Sequence, residues 1–172
     1  MSTAYQYDDG GRGGAGFKGK AGDCVCRAVA IASGRPYAEV YAALSGGSGT
    51  ERLSRGASAR NGIHVRRQWF KSYMRSIGFK WTPTMGIGTG CRVHLVSSEL
   101  PAGRLVVSVS KHYTAVVDGV IHDTHNPSDR IVTIYSANTP KEKLPKGAYW
   151  LENGNGWAYA PERCVYGYWS LA

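Results

Sequence analysis

The stretch His112-Tyr113-Thr114-Ala115-Val116-Val117-Asp118-Gly119-Val120-Ile121-His122-Asp123-Thr124-His125 decides how the second half of this chain folds. β-Branched and aromatic residues flank Asp118-Gly119, and an Asp-Gly pair between two such runs signals a hairpin closed by a two-residue turn. Closing it there pairs Val117 with Val120. Counting outward sets Thr114 opposite Asp123 and His112 opposite His125. Side chains alternate across a strand, so His112, Thr114, Asp123 and His125 share one face, with Tyr113, Ala115, Val117 and His122 on the other. Asp123 is then the diagonal neighbour of His112, near enough to orient its imidazole through one nitrogen.

Outward from the hairpin, residues 105–110 and 130–135 read as further strands. Segments 147–151 and 164–169 complete the sheet with aromatic residues. The first half has a different character. Residues 24–33 are small and apolar (Val25, Ala28, Val29, Ile31, Ala32), as in a short helix packed closely on its neighbours, with Asp23 or Gly22 as N-cap and Gly34 as its end. Pro36 opens a second helix over residues 37–44, with Val40, Tyr41 and Leu44 on one face. Residues 45–62 read as a polar loop with room for a turn of helix. A third helix spans about 65–77, burying Trp69, Phe70, Tyr73 and Ile77, and stops at Gly78. Helices followed by an antiparallel sheet make an α+β fold. Residues 1–22 are expected to be a flexible glycine-rich lead-in, and 23–172 a single domain.

The thiol that would use the hairpin is Cys24. A cysteine is nucleophilic as a thiolate, and a helix N-terminus stabilises that anion. Cys24 stands where the first helix begins, whereas Cys26 points elsewhere. By itself Cys24 reads equally as a small buried hydrophobe. His112 and Asp123 on adjacent strands change this, because with a helix-terminal thiol they make a Cys-His-Asp triad. His125 is the other candidate base, but it lies at the end of the hairpin before Asn126-Pro127. His64 and His94 have no evident carboxylate partner.

Composition narrows the rest. The chain has 172 residues, about one domain, and is 42% hydrophobic, enough for a real core. No apolar run approaches the roughly 18 residues of a spanning helix, and residues 1–9 lack the features of a signal peptide. A cytoplasmic protein with free thiols is the expectation. Cys24-x-Cys26 with distant Cys91 and Cys164 does not match zinc-site spacing, so no metal and no cofactor are expected. Gly14-Ala15-Gly16-Phe17-Lys18-Gly19-Lys20 imitates a phosphate loop, but Ala21 replaces the metal-holding hydroxyl and no strand precedes it. The net charge is +9. It is scattered over residues such as Arg52, Arg66, Lys71, Arg75 and Lys141, more a solvated basic surface than a dedicated nucleic-acid site. Trp81, Trp150, Trp157 and Trp169 read as core residues or as walls of a cleft.

The segments Asp23-Cys24-Val25-Cys26-Arg27-Ala28-Val29-Ala30-Ile31-Ala32-Ser33-Gly34 with Tyr37-Ala38-Glu39-Val40, and Val107-Ser108-Val109-Ser110-Lys111-His112-Tyr113-Thr114-Ala115-Val116-Val117-Asp118-Gly119 leading to Asp123-Thr124, resemble the papain-like cysteine peptidases. The likeness is greatest to small bacterial and phage members and to bacteriocin-processing peptidases, and it covers about a third of the chain. It implies a Cys-bearing helix packed on an antiparallel sheet. It also implies cleavage of peptide or isopeptide bonds through a thioester, with Cys24 attacking, His112 moving the proton and Asp123 orienting His112. The partner is then a peptide or protein substrate. The family places a Gln several residues before the Cys as an oxyanion donor; Lys18, Gly19 and Lys20 occupy that region here. Two other functions share these residues: a catalytically idle scaffold binding protein or nucleic acid through its basic surface, and a transglutaminase-like acyltransferase.

Overall fold

Small side chains allow the first helix to lie against a sheet, and that contact organises the fold. A computed structural model describes residues 3–50, 58–129, 132–152 and 154–172. Helix α1 (Cys24–Ser33) buries Val25, Cys26, Ala28, Val29, Ala30, Ile31 and Ala32, so its core face extends most of the way round. With three alanines among these, there is no bulk to hold the helix off the strands; enlarging one would overpack the contact at about 1–3 kcal/mol. Gly34 ends α1 in the left-handed region (φ 71°), donating its N–H to the carbonyls of Ala30 and Ile31.

Helix α2 (Tyr37–Gly49) packs on α1, and helix α3 (Gln68–Ser76) packs on α2 and on strand 79–83. α2 runs five residues beyond the position 44 end expected from the sequence, through Ser45-Gly46-Gly47-Ser48-Gly49. Helix propensity opposes that extension. Packing explains it at Gly47, where an added Cβ would lie 2.2 Å from the Trp69 ring. The rest of the expected loop, residues 51–57, lies outside the described residues.

The strands are β1 (Ala4–Tyr7), β2 (Phe79–Pro83), β3 (Arg104–Val109), β4 (His112–Val117), β5 (Val120–Asp123), β6 (Thr133–Ser136), β7 (Tyr149–Trp150), β8 (Gly156–Tyr159) and β9 (Val165–Leu171). Six form one sheet in the order β1-β5-β4-β3-β9-β2, and three form a second in the order β6-β8-β7. The β4–β5 hairpin has the expected register, Val117 with Val120 and Ala115 with His122. Asp118 (φ 47°) and Gly119 (φ 80°) both take the positive φ that such a turn needs.

The large sheet is covered on both faces. Val106, Ala115 and Trp169 join the helices in one core with Phe70, Met74 and Phe79. Leu105, Val107, Val109, Val116 and Ile121 form a second core with Leu95, Leu100 and Val165. Two-sided burial is why Leu105 to Val109 are all buried rather than alternating.

The α+β class stands, with several corrections to the expected layout. The sheet is mixed, because β1 pairs parallel with β5, Tyr7 opposite Asp123. The presumed lead-in therefore contains a strand, followed by turns in which Asp8 and Asp9 accept backbone N–H groups of Gly10, Gly11 and Gly13. β2 was unforeseen and pairs with β9, which lies inside the sheet between β3 and β2. β7 leaves the large sheet for the small one, joined by β8, also unforeseen. The strand expected over 130–135 is observed as Thr133–Ser136, with residues 130 and 131 outside the described residues. Cys91 and Cys164 form a disulfide, contrary to the expectation of four free thiols; Cys24 and Cys26 are free. A Cα separation of 5.8 Å, created by folding across 73 residues of sequence, permits the bond. Among the described residues, no helix is long and apolar enough to cross a membrane.

Candidate active site

His112 opens β4 and Asp123 closes β5, so both lie at the hairpin end opposite its turn, and the first residue of α1 arrives there. His112 Nε2 is 2.6 Å from Asp123 Oδ2, the diagonal contact expected from register. The other Asp123 oxygen accepts the backbone N–H of Thr124 at 2.7 Å. Burial works to raise the Asp123 pKa, but the His112 hydrogen bond and charge, aided by Thr114 and the Thr124 N–H, hold it below the usual carboxylate range. An ionised carboxylate can only accept, so Nε2 carries the hydrogen and Nδ1 is left to face the thiol.

Cys24 meets His112 and the backbone N–H of Tyr113. Burial again opposes ionisation. The His112 hydrogen bond, the Tyr113 N–H and the positive charges of His112 and Arg27 outweigh it, and the Cys24 pKa falls below that of an ordinary thiol. His112 moves the opposite way. Burial disfavours its charge, yet the hydrogen bonds and charges of Asp123 and Cys24 raise it to about 9. The two shifts run in opposite directions because each group favours the charged form of the other.

Cys26 sits two residues further along in a different environment. It is buried, its Sγ contacts the Ala59 carbonyl at 3.4 Å, and burial with the charge of Asp23 pushes its pKa up to about 12. It is inert near neutrality.

Asp23 holds the N-cap position but its side chain caps nothing. The buried carboxylate instead binds Arg27, accepts from the Tyr37 hydroxyl, and lies 3.0 Å from Arg12 Nε. Arg12 also donates to the carbonyls of Phe17 and Lys18. The same N-terminal segment braces Asp123 from behind: the Asp8 N–H and the Tyr5 hydroxyl both donate to the Asp123 carbonyl. The segment crosses α1 at Gly10, whose φ is 66° and where an added Cβ would sit 3.1 Å from the Arg27 carbonyl oxygen. Residues 5–18 thus tie the helix that bears the thiol to the strand that bears the carboxylate. With its side chain so engaged, Asp23 leaves the first-turn amides of α1 without a side-chain acceptor.

Of the other histidines, His125 is exposed, its Nδ1 3.9 Å from Asp123 Oδ1 and its ring centroid 4.8 Å from that of His112. The short bond therefore belongs to His112. His94 has a carboxylate partner after all, Glu99 at 3.0 Å, and His122 pairs with Asp8 at 3.2 Å. Neither pairing was visible in sequence, because each depends on how loops or distant segments meet. His112, Asp123 and His125 could each offer one atom to a metal ion, with those atoms within 4.8 Å of one another. Coordination there would have to break the 2.6 Å bond between His112 and Asp123.

The thiol and His112 open onto a cleft of about 650 Å³, a size common for ligand sites. Trp81 and Trp169, ring centroids 5.2 Å apart, form part of its wall, and Trp169 is also core. Trp150 and Trp157 pair with each other in the small sheet instead. Neither Lys18 nor Lys20 lines the cleft. Comparison with protein-family models, with curated proteins and with solved structures finds no match to this chain.

Proposed function

We propose that this protein is a papain-like thiol hydrolase, a peptidase or amidase, whose triad is Cys24, His112 and Asp123. One observation carries the reading: a depressed-pKa thiol on a helix N-terminus faces an imidazole whose other nitrogen is held at 2.6 Å by a buried carboxylate. A structural cysteine needs none of these neighbours, and Cys26 has none of them.

In the proposed reaction the Cys24 thiolate attacks the acyl carbon. The His112 imidazolium gives its Nδ1 proton to the leaving amine as the C–N bond breaks, forming a thioester. A water then loses a proton to His112 and attacks the thioester; acid leaves, and the thiolate is restored. Asp123 holds the imidazole in the required tautomer and stabilises its positive charge. The backbone N–H of Cys24 is an available oxyanion donor, in keeping with Asp23 leaving the first turn uncapped.

An activated ester tests this without knowledge of the natural substrate. With p-nitrophenyl acetate, the expected results are acetylation confined to Cys24 by mass spectrometry, turnover by water, loss of both in Cys24→Ala, and slowing in His112→Ala. Acetyl-Cys24 that forms at the same rate without His112, or never turns over, would point to the idle scaffold. Faster turnover and amide formation on adding a primary amine would point to acyl transfer.

A further inference from the structure

The cleft wall has an unbalanced charge. Arg66, Lys71, Arg75 and Lys111 line it together with Cys24 and His112, and among the described residues no acidic one does. Elsewhere the half-buried Arg12 and Arg27 share Asp23, and the exposed Arg35 pairs with Glu39. None of the four cleft cations is ion-paired among the described residues. Lys71 and Arg75 are one turn apart on α3, where like charges repel and weaken a helix. Lys111 approaches from the β3–β4 turn, in a left-handed conformation (φ 56°) uncommon for a residue with a side chain. It directly precedes His112. Positive charge thus converges on the reacting centre from two elements, at a cost to both.

Resting on the hydrolase reading, we propose that the cleft takes acidic peptide segments, binding Asp or Glu side chains close to the bond that Cys24 attacks. Two features favour a peptide over a nucleic acid. The cations share their cleft with a thiol whose chemistry requires an acyl carbonyl, which a phosphodiester backbone does not offer. The remaining wall is also apolar and aromatic, including Val65, Trp81 and Trp169, so anionic side chains and an extended backbone can be held together.

Competition against alkylation tests the assignment. Iodoacetamide is uncharged, and its rates at Cys24 and Cys26 are read separately by mass spectrometry in the presence of hexaglutamate, hexaglutamine or a dodecathymidylate. Hexaglutamate is expected to protect Cys24 at about tenfold lower concentration than hexaglutamine, the effect of one charge-assisted hydrogen bond, and to lose that advantage at high salt. The double variant Lys71→Gln/Arg75→Gln should remove the preference. Lys141→Gln/Lys143→Gln, the same charge change outside the cleft, should retain it. Equal protection by hexaglutamate and hexaglutamine, with Cys24 still alkylating fast, overturns the substrate assignment and leaves the hydrolase reading intact. Stronger protection by the oligonucleotide overturns it in favour of nucleic acid. Cys24 reacting no faster than Cys26 without any competitor defeats the hydrolase reading itself.

Discussion

Two positions in the first turn of α1 treat the same side chain in opposite ways. At the mouth of α1, Cys24 faces an imidazole, a backbone N–H and the positive charge of Arg27, and its pKa falls. Two residues inward, Cys26 is packed in the core near the negative charge of Asp23, and its pKa rises to about 12. Cys24 is half-buried and Cys26 fully buried, yet burial pushes both pKa values up, so it cannot account for the fall at Cys24. What separates them is the partner each faces, and the β4–β5 hairpin supplies the partner of only one.

Replacing each thiol in turn gives the widest contrast. Cys24→Ala should remove turnover by a factor on the order of 10⁶, the scale of losing a nucleophile, with little change in stability. Cys26→Ala should keep turnover but lower the stability measured in urea by about 1–2 kcal/mol, through lost packing at a fully buried site. Reversed effects would break the comparison.

Removing the partner comes next. His112→Ala should reduce turnover by about 10²–10⁴-fold and raise the Cys24 pKa, so that Cys24 alkylates near neutral pH almost as slowly as Cys26. The pH profile follows from the same pair. Turnover should rise from acid as Cys24 ionises at its lowered pKa and fall as His112 loses its proton near pH 9. For stability the signs are also fixed. The His112 contribution is complete below its ordinary value of 6.5 and fades as pH climbs through about 9. That of Asp123 is complete above its ordinary 3.8 and fades as pH falls through its lowered value.

The smallest effect concerns the segment that ties the site together. Arg12→Ala leaves Asp23 with Arg27 and Tyr37 and should cost about 1–3 kcal/mol in urea unfolding. It should slow turnover less than His112→Ala does, because it acts through the placement of α1 and not on the reacting atoms.

The sequence made part of this legible and hid the rest for physical reasons. The hairpin is local: Asp118-Gly119 fixes its turn, the turn fixes the register, and the register delivers His112 to Asp123. α1 announced itself by its small apolar residues and by Gly34. What could not be read depends on long-range contact. β1 pairs in parallel with a strand more than a hundred residues away, and glycine-rich sequence after it resembles a loose lead-in. The extension of α2 exists because Gly47 admits the ring of Trp69. The Cys91–Cys164 bond, and the removal of Asp23 from capping to hold Arg12, Arg27 and Tyr37, arise only once separate elements meet. The convergence of cations on the cleft is of the same kind, since Lys111 comes from a different element than Lys71 and Arg75.

The most direct test of the central claim is the rate of iodoacetamide alkylation at Cys24 and Cys26 in the native protein, resolved by mass spectrometry across pH. Cys24 is expected to react rapidly with an inflection below that of an ordinary thiol, Cys26 to stay protected past pH 10, and His112→Ala to move only the Cys24 inflection upward. Two thiols titrating together, or a Cys24 inflection indifferent to His112, would contradict that claim.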